Sequence, residues 1–307
     1  MQNRRDFLKK ASLLLAGGFV APQILSSCGG KTSTAATAEE AATAAAKNIG
    51  LQLYSLREMV SKEGIQKVLE LVSKMGYKNL ESANYNEGKI YDLDPVEFKK
   101  RVEDLGMKFV SAHLGQPYSK EKEAETMAWW DLAIETHQKA GAKFMIQPWM
   151  PVDEKTTLDD LKAYCDYFSA VGEKAKAAGI IFGYHNHSFE FKKVEDKMIY
   201  DFMLDNVNKE AVTFELDVYW AQKGGVDPIA YLKNRPGQFK AIHIKDETEI
   251  GASGEINFAA IFNQMYANGV NDWFVEVERY TNDDPVASVQ QSFDFLNTAA
   301  FVKSIVR

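Results

Sequence analysis

Eight short apolar runs, each ending in a polar side chain, recur roughly every thirty residues, the length of one strand, one helix and two loops. They lie at 49–54, 79–81, 108–113, 143–147, 180–185, 212–217, 240–246 and 273–278. Their polar ends fall at Tyr54, Glu81, His113, Gln147, His185, Asp217, His243 and Glu276. The segments between them have helical spacing. Ile65, Val68, Leu69, Val72 and Met75 share one face, and Gly76 follows as a stop. Asp94-Pro95, Asp227-Pro228 and Asp284-Pro285 each place an N-cap acid before a proline suited to the first helical position. Eight such units close a parallel barrel, so the expected class is α/β, a single (β/α)8 TIM barrel over residues 48–307. The Met and aromatic residues on its helices are expected to be core packing.

Four consecutive strands end in side chains that bind metals. The chain has only five histidines, and two of them form His185-Asn186-His187 at the end of one apolar run, with Glu190 just beyond. The next runs end in Asp217, His243 and Glu276. A single strand-end histidine is ordinarily a hydrogen-bonding residue, and a single acid is often a helix cap. Four in succession, at the barrel face where active sites gather, point to one divalent metal held by His185, Asp217, His243 and Glu276. Mixed imidazole and carboxylate ligation with open positions suits Mn, Zn, Co or Fe better than Ca, which takes oxygen ligands.

The N-terminus carries a different message. Asn3-Arg4-Arg5-Asp6-Phe7-Leu8-Lys9 followed by an apolar stretch over 11–20 reads as a twin-arginine export signal, too short to span a bilayer. Leu25-Ser26-Ser27-Cys28 has the form of a lipobox, which makes 1–27 the signal and Cys28 the acylated mature end. Residues 28–47, rich in Ala, Thr and Ser, suit a flexible tether. A periplasmic or surface lipoprotein is expected, touching membrane only through that anchor. Cys165 is then the one remaining thiol, so no intramolecular disulfide is expected. The net charge of −7 argues against a nucleic-acid surface, which needs a Lys/Arg stripe.

From Leu51 onward the chain resembles the xylose isomerase-like, or sugar phosphate isomerase/epimerase, superfamily of barrels, which also holds apurinic endonucleases. The resemblance is carried by 50–57 (Gly-Leu-Gln-Leu-Tyr-Ser-Leu-Arg), 184–191 (Tyr-His-Asn-His-Ser-Phe-Glu-Phe) and 215–220 (Glu-Leu-Asp-Val-Tyr-Trp), with His243-Ile244-Lys245-Asp246 and Val275-Glu276-Val277-Glu278. It implies a strand-five ligand together with Asp217, His243 and Glu276. The ketose epimerases carry a glutamate at that strand-five position, where this chain offers His185, with Glu190 as the alternative.

The resemblance further implies proton abstraction beside a carbonyl, assisted by the metal. Glu190, Glu276 and His113 are the candidates for proton transfer. Lys245 is a candidate for holding a substrate hydroxyl or oxyanion, or else for a salt bridge to Asp246. Tyr54, Trp149 and Trp220 offer faces for a sugar ring, and His187 and Glu278 are further substrate contacts. The small-molecule partner expected is a carbohydrate, unphosphorylated because phosphorylated sugars are largely cytoplasmic. Reprotonation makes the chain an isomerase or epimerase. Loss of a β-leaving group makes it a lyase or dehydratase on a keto-sugar or 3-keto-glycoside. A sugar-binding lipoprotein without catalysis is the third possibility.

Overall fold

The computed structural model describes residues 47–304. The expected export signal, Cys28 and all but the end of the tether lie outside the described residues. Eight parallel strands form a closed barrel. They are β1 (Gly50–Gln52), β2 (Asn79–Ser82), β3 (Lys108–His113), β4 (Phe144–Gln147), β5 (Ile181–His185), β6 (Val212–Asp217), β7 (Phe239–Lys245) and β8 (Asp272–Glu276). Each pairs in parallel with its sequence neighbours, and β8 returns to β1 through Gly50 opposite Phe274.

The first strand is shorter than its apolar run. Gln52 accepts the backbone N–H of Tyr54 at 3.0 Å and turns the chain into a 3-10 helix, Leu53–Leu56. Tyr54 therefore stands on the barrel rim, 40% exposed, instead of at a strand end. The β5–β6 connection also holds a small antiparallel hairpin, Lys193–Val194 with Lys197–Met198, that the apolar pattern does not reveal. Its turn residue Glu195 has a φ of 55°, a conformation favouring Gly or Asn over glutamate.

The helices follow the spacing. In Ile65–Met75 the five apolar residues are all buried, and Gly76 closes the helix at a φ of 107°, where a Cβ would also strike the Phe293 ring. All three Asp-Pro pairs act as caps, with Asp94, Asp227 and Asp284 accepting backbone N–H groups of the turn each begins. Trp130 is fully buried on the inner face of Glu123–Ala140 and donates to the Tyr167 hydroxyl at 2.5 Å.

The main apolar core lies between strands and helices. A second, small cluster of Val110, Phe144, Ile146 and Phe274 plugs the barrel interior. Phe274 fits because its neighbour on β1 is Gly50, where a Cβ would lie 2.6 Å from the ring. Above this plug the inward side chains turn polar.

Candidate metal centre

Inward positions on a strand alternate with period two, so a barrel strand delivers residues i and i+2 to its interior at successive heights. Glu215 and Asp217 on β6, His243 and Lys245 on β7, and Phe274 and Glu276 on β8 are such pairs, and all six are buried. The barrel lumen thus holds two stacked sets of ligand-type groups that share His243.

The upper set is His185, Asp217, His243 and Glu276, with one donor atom from each lying within 4.8 Å of the others. His185 Nε2 is 3.5 Å from Asp217 Oδ2, and His243 Nδ1 is 3.5 Å from Glu276 Oε2 and 3.9 Å from Asp217 Oδ2. None of these pairs is a hydrogen bond. Both ring nitrogens of His185, Oδ2 of Asp217 and Nδ1 of His243 are buried with no partner. An unpartnered buried polar atom is costly, and here several converge on one point. Donors about 2.1 Å from a tetrahedral ion stand roughly 3.4 Å apart, so the residues fit a metal.

Neighbouring contacts hold this set in place. Asp217 begins the helix Val218–Lys223, and its Oδ1 accepts the backbone N–H of Trp220 at 2.7 Å. Helix cap and ligand are therefore the two oxygens of one carboxylate. Asn186 bridges the ends of β5 and β6, accepting the Asp217 N–H at 3.1 Å and donating to its carbonyl at 3.3 Å. Glu190 is fully buried and turned into the wall, accepting from the Tyr184 hydroxyl at 2.8 Å and from the His187 N–H at 2.9 Å. Of the two side chains considered for the strand-five ligand, His185 is the one grouped with Asp217, His243 and Glu276. Lys245 contacts Glu276 at 3.2 Å and Glu278 at 2.9 Å. Asp246 instead accepts the backbone N–H groups of Glu247 and Gly251.

The electrostatics match a site waiting for positive charge. Burial lifts the Asp217 carboxyl to about 7, only partly opposed by Lys245 and His243. Burial, together with His243, His113 and His187, drives His185 well below the ordinary histidine range, leaving it in the neutral form a metal requires. Burial also opposes ionisation of Glu276, but Lys245 and His243 outweigh it and hold the carboxyl well below its usual value.

A cavity of about 330 Å³ opens above the set, lined by Tyr54, Ala83, His113, Pro148, Trp149, His185, His187, Glu276 and Glu278, within the range of small-molecule sites. Trp149 and Tyr54 form its exposed rim. Trp220 lies behind the lining, its ring centroid 5.8 Å from Lys245 Nζ and 5.9 Å from the His187 ring.

The lower set is Glu81, His113, Glu215 and His243. In the sequence Glu215 stands out only as the start of the 215–220 match, and Glu81 only as a strand end. The signal available was the i−2 position: Glu215 precedes Asp217 by two and so faces the same interior.

A family model described as xylose isomerase-like TIM barrel matches residues 69–299. Two solved sugar phosphate isomerase/epimerase structures from Parabacteroides distasonis are 40% and 36% identical, each with a TM-score of 0.79. The first covers 84% of this chain and 100% of its own, the second 87% and 98%. D-psicose 3-epimerase from Clostridium cellulolyticum, solved with D-tagatose, shares the fold at 16% identity and a TM-score of 0.65, covering 81% of this chain and 97% of its own. No curated protein sequence matches. A barrel of eight parallel strands, a family model spanning most of it and relatives of this identity together make the chain a member of the xylose isomerase-like TIM-barrel family, which includes sugar phosphate isomerase/epimerases.

Proposed function

We propose that the chain is a metal-dependent sugar isomerase or epimerase that removes a proton next to a carbonyl of an unphosphorylated sugar. The observation carrying this reading is the convergence of unpartnered donor atoms of His185, Asp217 and His243 beside Glu276 at the floor of an open cavity. His185, Asp217, His243 and Glu276 would hold a divalent ion there, and it would supply Lewis acidity that lowers the cost of negative charge on the carbonyl oxygen.

The chain's own groups supply the rest. Glu276 is ionised and reaches the cavity, so it is our choice to accept the proton. Lys245, held between Glu276 and Glu278, donates hydrogen bonds to the developing oxyanion. His113 and His187 line the same cavity and are available to return a proton to carbon. Trp149 and Tyr54 offer ring faces at the rim. Export and lipid anchoring through Cys28 belong to the same proposal.

A second reading, β-elimination from a keto-sugar or 3-keto-glycoside, is favoured by one feature. The lining carboxylates Glu276 and Glu278 both reach Lys245 and so stand on one side of the cavity. Inversion by two opposed carboxylates is then unavailable, and inversion would depend on a histidine. Incubation in deuterated water with free ketoses and 3-keto-glycosides separates the readings. Deuterium in a recovered isomer or epimer supports the first, and a released aglycone supports the second. Absence of both with sugar still bound leaves only a binding protein.

A further inference from the structure

His243 presents its two ring nitrogens to different surroundings. Nδ1 faces the upper set and has no hydrogen-bond partner. Nε2 lies 2.6 Å from Glu81 Oε2. Two atoms bound to one ion at about 2.1 Å stand roughly 3 Å apart or more, so 2.6 Å indicates a shared hydrogen, at the length of a charge-assisted bond. A proton on Nε2 satisfies this contact, and Nδ1 faces Asp217 and Glu276 without a hydrogen-bond partner.

Glu81 is itself fixed. Its Oε2 accepts from Gln52 Nε2 at 2.8 Å, and its Oε1 from the Ser111 hydroxyl at 2.5 Å. The Ser111 contact depends on an irregularity in the sheet. Leu80 pairs with Phe109 but Glu81 pairs with Ser111, so Val110 is an extra residue on β3 and the serine comes opposite the glutamate. A matching shift between Phe214 and Glu215 leaves Lys240 extra on β7. Glu215 Oε2 lies 2.7 Å from His113 Nε2 and 3.2 Å from His243 Nε2, while its Oε1 is buried without a partner. The lower set is thus joined through hydrogens, whereas the closest donor pairs of the upper set stand 3.5 Å apart without any. His185 has no corresponding support, since neither of its nitrogens has a partner.

We propose that Glu81 is the positioning residue of the metal centre: by accepting the Nε2–H of His243 it fixes the ring and its tautomer so that Nδ1 is the metal donor, and the lower set is a hydrogen-bonded support and not a second metal site. Carboxylate partners of metal-bound histidines typically contribute 10–100-fold to metal affinity. The inference rests on the metal-dependent reading above.

The test is competition between the full-length folded protein and a chromophoric chelator for Zn(II), for the native chain and Glu81→Gln. The expected result is one equivalent in both, bound 10–100-fold more weakly by the variant. Equal affinities overturn the role of Glu81 alone. Two equivalents in the native protein falling to one in Glu81→Gln also overturn it, because Glu81 is then a ligand. A native protein that takes up no metal overturns the metal-dependent reading as well. Should Glu81→Gln fail to fold, the native protein labelled with 15N-histidine and loaded with Zn(II) gives the answer by long-range nitrogen–proton NMR. Nε2 of His243 should carry the proton, and a proton on Nδ1 instead overturns the proposal.

Discussion

His185 Nε2 and Asp217 Oδ2 stand 3.5 Å apart at the ends of adjacent strands, both buried and neither hydrogen-bonded. The other Asp217 oxygen caps a helix through Trp220. Substitutions at this residue should separate the two tasks. Asp217→Asn keeps a capping oxygen but loses the anionic ligand, so its metal-free stability should stay close to native while metal affinity falls. Asp217→Ala loses both, and its metal-free form should be about 1 kcal/mol less stable than Asp217→Asn. Denaturant melts of the stripped proteins, read beside chelator competition, check this. Equal losses of stability in the two variants would remove the capping role.

Lys245 is surrounded by acids, 3.2 Å from Glu276 and 2.9 Å from Glu278. Burial opposes its charge, but these carboxylates and Asp217 raise its pKa above the ordinary lysine value. If it stabilises the reacting oxyanion, Lys245→Met should retain the metal and lose on the order of 10²-fold in turnover. Steady-state kinetics with elemental analysis decide. A variant that keeps both turnover and metal would make Lys245 a charge balance for the carboxylates only.

The barrel was legible because its strand ends are polar and evenly spaced, and because three Asp-Pro caps and Gly76 mark helix limits. The grouping of His185, Asp217, His243 and Glu276 was legible because they lie at or near the ends of four successive strands. The lower set was not. Glu81 and Glu215 are brought into contact with His243 and His113 from strands distant in sequence, and sheet irregularities at Val110 and Lys240 adjust their register. No local pattern encodes that contact. Glu190 shows the opposite difficulty: sequence proximity to His185 suggested the cavity, but the 3-10 turn Phe189–Phe191 points its carboxylate at Tyr184 and His187. The salt bridge to Asp246, one of the two alternatives for Lys245, rested on the same sequence proximity, whereas Lys245 meets Glu276 and Glu278 and Asp246 accepts backbone N–H groups.

His137 supplies a pH dependence away from the site. It is buried in the helix Glu123–Ala140, with Nδ1 2.8 Å from the Ala133 carbonyl, and burial lowers its pKa to about 4. A histidine depressed in the fold is neutral there, while the unfolded chain takes up a proton near pH 6.5. Its neutral form therefore costs nothing above about pH 6.5, and stability falls as pH drops from there towards 4, by up to about 3 kcal/mol. His137→Gln should flatten that part of the stability profile of the metal-free protein. Parallel profiles for native and variant between pH 4 and 6.5 would show that His137 does not control it.

The most direct measurement is the metal content of folded protein purified without chelator, followed by the same measurement on His185→Ala and His243→Ala. The expected result is close to one equivalent of a divalent transition metal in the native protein, most of it lost in both variants, with sugar turnover lost in step. A native protein that turns over its sugar in excess chelator with no metal bound would contradict the centre formed by His185, Asp217, His243 and Glu276.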